Sequence, residues 1–109
     1  MAITEITPDY SVSPQIGVAD VAAIEERGFR AIMCNRPDGE SADQTEVALI
    51  RAEAEARGLA FAFVPVVSGA ITGADIDAFK AALDALPGPV LAYCRSGTRC
   101  RLLWDIAKA

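Results

Sequence analysis

Apolar positions along the chain fall into two alternating patterns, short unbroken runs and longer stretches with helical spacing. Phe29 to Asn35 (with the unbroken apolar Ala31-Ile32-Met33-Cys34 inside it), Leu59 to Val67 and Pro89 to Ala92 are mostly apolar runs opened by glycine or proline. Such runs are expected of strands buried on both faces. Ile3 to Thr7 and Tyr10 to Ser13 are short and β-prone, with Pro8-Asp9 as a turn, which predicts two brief strands in a hairpin at the sheet edge.

The intervening stretches read as helices. Val18, Val21, Ala22 and Ile24 share one side of a segment that stops at Gly28. Gln44 to Arg57 is rich in helix formers, with Val47, Leu49, Ile50 and Ala54 on or near one face, and ends at Gly58. Thr72 followed by Asp75 is close to a capping box. The helix it opens is expected to run to about Leu86, burying Ile76, Phe79, Leu83 and Leu86, until Pro87-Gly88-Pro89 breaks it. Cys100 to Ala107 carries Leu102, Leu103 and Ile106 at helical spacing, and Trp104 is expected to pack this last helix onto the sheet. Helices alternating with apolar strands predict an α/β fold: a single three-layer domain spanning 1–109, with a mostly parallel central sheet and helices on both faces. In such sheets the site lies at the carboxyl ends of the strands, a rim that would hold Cys94, Asn35-Arg36 and Val66-Val67-Ser68.

Composition narrows the function classes. With 52% apolar residues in 109, the chain can bury one core. A net charge of −5 without a basic stripe argues against nucleic acid and against anionic membranes. Met1 to Tyr10 shows no secretory signal, and no apolar run approaches a membrane span. Cys34, Cys94 and Cys100 are an odd number at irregular spacing, so a reducing, cytoplasmic location is the simplest reading. The chain has no histidine, which removes Ser-His and Cys-His dyads and His-based zinc sites. No metal or other cofactor is called for.

The candidate chemistry lies in Cys94-Arg95-Ser96-Gly97-Thr98-Arg99, between the last strand and the last helix. A strand–loop–helix turn aims backbone N–H groups and a positive helix end at whatever sits over the loop. A thiol held there is favoured as thiolate, and Arg99 adds a full positive charge. Gly97 lets the backbone curl inward, Ser96 and Thr98 offer hydroxyls, Arg95 lies beside the nucleophile, and Arg99 offers a planar fork suited to tetrahedral oxyanions. Nucleophilic attack through a covalent Cys94 intermediate follows, on thiosulfate, a persulfide or a phosphate ester.

This loop resembles the active-site loop of rhodanese-type sulfurtransferases, which commonly reads Cys-Arg-x-Gly-x-Arg. Tyrosine and dual-specificity phosphatases place arginine six positions after cysteine, usually with histidine before it; here those positions are Cys100 and Tyr93. The stretch Ile32 to Pro37 and the order of elements nevertheless look like a compact dual-specificity phosphatase domain. Together with Ser11 to Ile16, Asn35 to Glu40 and Gly69 to Thr72, nearly the whole chain resembles the phosphatase-like domain of beta-lactamase hydrolase-like proteins, a family also described as sulfur transferases. The resemblance implies a dual-specificity phosphatase-like fold and leaves two activities open. Some members are fused to persulfide-oxidising metallohydrolases, so such a hydrolase and a thiol acceptor such as glutathione are the implied partners.

The proton donor bears on that choice. Phosphate-ester cleavage protonates a poor alkoxide leaving group, usually from an Asp in the loop after the strand corresponding to Phe61 to Val67. Here that loop is Ser68-Gly69-Ala70, with no carboxylate before Asp75. Sulfite or a low-pKa thiolate departs unprotonated, so the residues rank a rhodanese-like sulfurtransferase first and a cysteine-dependent phosphatase second. Asp38 or Glu40 is a substitute acid only if the 36–43 connection folds over the loop; otherwise it is a solvated turn. Arg36 is either a second oxyanion clamp or a salt bridge to that acidic connection. Cys34 reads as core more than as a redox partner of Cys94, and Cys100 is expected to face away from the cradle.

Overall fold

The computed structural model describes Met1–Ala109. In chain order it contains β1 (Thr4–Thr7), β2 (Tyr10–Ser13), a 3₁₀ turn (Val18–Asp20) running into α1 (Val21–Glu26), β3 (Ala31–Cys34), α2 (Val47–Ala56), β4 (Ala60–Phe63), α3 (Gly73–Ala85), β5 (Val90–Tyr93) and α4 (Thr98–Ala107). The five strands form one sheet in the order β1-β2-β5-β3-β4. Strands β2, β5, β3 and β4 are mutually parallel, and β1 pairs antiparallel to β2 at the edge. The expected α/β architecture with a largely parallel sheet is therefore present.

Strand alternation sorts the core into two layers. Ile32, Cys34, Leu91 and Tyr93 face Val21 and Ile24 of α1 and Ile50 and Ala54 of α2. Ala31, Met33, Val90, Ala92 and Cys94 belong to the opposite layer with Phe79 of α3 and Cys100 and Leu103 of α4. Tyr10 joins this second layer: its ring stacks on Trp104 at 4.4 Å and its hydroxyl donates to the Cys100 carbonyl at 2.8 Å. Trp104 thus ties the last helix to the sheet as the sequence leads one to expect.

Several boundaries move, each for a local reason. The Val18 segment opens as a 3₁₀ turn, because the Asp20 carboxylate reaches back to the Gly17 N–H at 2.7 Å. Helix α2 begins at Val47 rather than Gln44, whose side chain instead closes the preceding connection by donating to the Pro37 carbonyl (2.8 Å) and accepting from the Glu40 N–H (3.1 Å). Thr72 and Asp75 form the expected capping box, at 3.1 and 2.9 Å. Helix α4 starts at Thr98, two residues before Cys100, because Gly97 at φ +89° turns the chain straight from loop to helix.

Candidate active site

The carboxyl ends of β2, β3, β4 and β5 converge on one rim. The Asn35 N–H donates to the Tyr93 carbonyl at 2.8 Å, the Val66 N–H to the Asn35 carbonyl at 3.1 Å, and the Cys94 N–H to the Ser13 carbonyl at 3.3 Å. These main-chain bonds fix Cys94, Asn35-Arg36 and Val66 beside one another. The Arg95 carbonyl also accepts from the Gln15 N–H at 3.2 Å, so the first half of the loop is pinned to the residues after β2.

Gly97 then reverses the loop. Its N–H points at the Cys94 sulfur, 3.1 Å away. A Cβ on Gly97 would sit 3.4 Å from the Ser13 carbonyl carbon, in a backbone conformation that L residues rarely adopt. The Ser96 hydroxyl donates to the Thr98 hydroxyl at 3.0 Å, closing the outer lip of the loop.

The Cys94 thiol is lowered to about 5 from its ordinary value. The largest cause is a hydrogen bond from the Cys100 thiol; burial opposes it, and backbone N–H groups of Cys100, Arg99 and Ser96 add to the lowering. Cys100 therefore faces the cradle sulfur from within the core, which corrects the expectation that it turns away. The first turn of α4 brings it back under the strand end. Cys100 itself, fully buried and next to that thiolate, is held well above the usual thiol range. Cys34 lies in the other core layer, its thiol donating to the Arg36 carbonyl at 3.3 Å, so the sheet separates it from Cys94 and its place is in the core.

An open cleft of about 580 Å³ lies over the loop, lined by Glu40, Ser68, Arg95, Ser96, Thr98 and Arg99. Cys94 is fully buried just beneath this lining. Arg99 is 6% exposed; its Nη1 donates to the Val66 carbonyl at 3.0 Å, and Nη1 and Nη2 each donate to a Glu40 carboxylate oxygen at 2.8 Å. Glu40 also accepts from Arg36 Nε at 3.0 Å. Hydrogen bonds from Arg99, then from Arg36, hold its carboxyl at about 2, so it stands over the cradle ionised.

The remaining sequence-derived candidates divide. Arg95, Ser96, Thr98 and Arg99 line the cleft above Cys94, and Gly97 turns its N–H to the sulfur. Arg36 is buried with every nitrogen engaged, Nε to Glu40, Nη1 to Gln15 and Nη2 to Ser41, which is the salt-bridge alternative and not the clamp. Asp38 is not over the thiol: its carboxylate accepts from the Val47 N–H at 2.9 Å and so caps the start of α2. The carboxylate at the cleft is Glu40, two residues on. Ser68 lines the cleft, in keeping with its place on the rim; Gln15 is the residue the sequence does not point to, because a polar side chain gives no such signal until the strands bring their loops together. No group of three His, Cys, Asp or Glu side chains is arranged to hold a metal.

Comparisons with known proteins agree with this geometry. The family model described as "Beta-lactamase hydrolase-like protein, phosphatase-like domain" matches residues 2–109. A beta-lactamase hydrolase-like protein of Xylella fastidiosa is 38% identical over 108 residues, covering 99% of this chain and 25% of that protein. The chain thus spans about a quarter of the length of the curated relatives it matches. Among solved structures, a candidate phosphatase from Neisseria meningitidis superposes with a TM-score of 0.90 at 38% identity, covering 99% of this chain and 77% of that one. The core catalytic domain of a PP-IP phosphatase from S. cerevisiae, bound to citrate, shares the fold alone, with a TM-score of 0.67 at 14% identity, covering 97% and 73%.

Proposed function

The chain belongs to the beta-lactamase hydrolase-like, phosphatase-like domain family, and from that premise we propose that it is a cysteine-dependent phosphatase acting on small phosphate monoesters with good leaving groups. The observation that carries the reading is the Cys94 thiolate, at about 5, receiving the Gly97 N–H at 3.1 Å inside a loop that also presents Arg99. Cys94 attacks phosphorus, an S–P bond forms, and the ester oxygen leaves with its electron pair. Backbone N–H groups and Arg99 hold the oxygens on which charge gathers. Water then attacks the phosphocysteine, releasing phosphate and restoring the thiolate. Glu40, ionised by its two arginines, has no proton to give an alkoxide. Weakly basic groups, a phenolate, a carboxylate or a phosphate among them, leave without one, which limits the substrates to phosphates that carry such groups. The similarity to the Neisseria candidate phosphatase supports phosphate over the sulfur chemistry that the residues alone rank first.

A second reading is favoured by one feature, the loop in which arginine follows cysteine by five positions. In it, Cys94 attacks the outer sulfur of thiosulfate, a Cys94 persulfide forms, and the S–S electron pair leaves on sulfite without protonation. A thiol such as glutathione would accept the sulfur. A persulfide-oxidising metallohydrolase is the partner this reading implies. One experiment tests both: release of phosphate from 4-nitrophenyl phosphate, and formation of thiocyanate from thiosulfate and cyanide, each with wild type and Cys94→Ser. Phosphate release lost in Cys94→Ser supports the first reading; thiocyanate without phosphate moves the assignment to the second. Turnover retained in Cys94→Ser overturns both.

A further inference from the structure

The reading of Cys94 beneath an oxyanion cradle leaves open what the rest of the substrate is, and the cleft bears on that. No apolar side chain lines it. Apolar Val12 and Leu102 line only the neighbouring groove of about 250 Å³ past Ser96 and Thr98, so a ring entering behind a phosphate would meet polar side chains in this cleft itself. The cleft continues into a second one of about 260 Å³ lined by Gln15, Arg36, Ser41, Asp43, Gln44 and Arg95, again without an apolar side chain. Arg95 lines both.

The charges in these clefts are almost all answered. Arg99 and Arg36 share the Glu40 carboxylate, Arg36 spends its other nitrogens on Gln15 and Ser41, and the Asp43 carboxylate accepts from the Ser41 hydroxyl at 2.9 Å. Arg95 is the exception: its guanidinium makes no hydrogen bond or ion pair within 4 Å, Asp43 of the second cleft feeling its charge only from farther off, while its main chain is fixed by Gln15. An exposed, unpartnered guanidinium sits one residue after the nucleophile, at the junction of two hydrophilic clefts.

We propose that Arg95 is the specificity-determining residue of this site, and that the substrate is a small hydrophilic molecule carrying a second anionic group, which Arg95 holds while the first lies over Cys94. This rests on the cradle reading above and deepens it. A planar fork with all its donors free suits a phosphate, carboxylate or sulfonate group equally. A singly phosphorylated phosphotyrosyl side chain would leave that guanidinium without an anionic partner.

The test is calorimetric titration of the whole chain, at fixed ionic strength, with inorganic phosphate, pyrophosphate and phenyl phosphate. Wild type is expected to bind pyrophosphate at least about tenfold more tightly than phosphate, and phenyl phosphate no better than phosphate. Arg95→Gln should bring the pyrophosphate-to-phosphate ratio to within about twofold. Arg30→Gln, which removes the same charge from an exposed residue just before β3 at the opposite end of the sheet, should leave the ratio as in wild type. Pyrophosphate and phosphate bound alike by wild type, a ratio unchanged in Arg95→Gln, or phenyl phosphate bound most tightly would each overturn the inference and leave the cradle intact. Binding of none of the three would instead remove the cradle reading, and this inference with it.

Discussion

Replacing Glu40 with glutamine removes the one carboxylate that Arg36 and Arg99 share while keeping the shape of the side chain. Its carboxyl is lowered from 4.5 to about 2, with hydrogen bonds from Arg99 the first cause. At about 1.36 kcal/mol per factor of ten in acidity, that drop caps the contribution at about 3 kcal/mol. The Glu40 side chain is 28% exposed to the cleft, and solvent screening brings the expected loss to about 2 kcal/mol. The sign of the pH dependence follows from the depressed value. The stability is fully present above pH 4.5 and is lost as pH falls through about 2. Urea unfolding followed by Trp104 fluorescence should therefore show Glu40→Gln less stable than wild type at pH 7, with the gap closing toward pH 2. Binding should move the other way. The carboxylate occupies both terminal nitrogens of Arg99 at 2.8 Å, so its removal is expected to tighten inorganic phosphate binding by about tenfold, roughly 1.4 kcal/mol. A stability gap independent of pH would refute the ion-pair argument. Phosphate binding weakened in Glu40→Gln would show that Glu40 positions Arg99 and does not compete with the anion.

Three further outcomes follow from the loop and its neighbours. Ultraviolet thiolate absorbance should show one step near pH 5 from Cys94, since burial keeps Cys34 and Cys100 higher; Cys100→Ala should move that midpoint up by about one pH unit, and Cys100→Ser, which keeps a donor, should restore most of it. Gly97→Ala, strained at φ +89°, should cost about 1–2 kcal/mol in urea unfolding and lower kcat by about tenfold or more as the N–H turns from the sulfur; unchanged kcat would dismiss that N–H as a contributor. Asp38→Ala should lose about 1 kcal/mol of stability with the α2 cap while leaving the pH profile of kcat unaltered, and a lost acidic or basic limb would return Asp38 to the chemistry.

The sequence alone determined the alternation of helices and buried strands, the parallel sheet and the loop that bears Cys94. Each is written in local terms: three mostly apolar runs opened by glycine or proline, a capping box at Thr72, and Cys, Gly and Arg at offsets that suit a thiolate cradle. Tertiary structure decided which acidic residue reaches the cleft and which thiol reaches Cys94. Asp38 and Glu40 lie two residues apart in one polar connection, and nothing local separates them. The choice was made when the start of α2 took the Asp38 carboxylate and the buried Arg36 and Arg99, from distant parts of the chain, took that of Glu40. Cys100 likewise turned inward because Gly97 starts α4 two residues early, which rotates the helix and sets that thiol under the strand end. Local pattern fixes the elements because it reports which faces must be buried; the partner of a charged or polar side chain depends on which loops the closed sheet brings together.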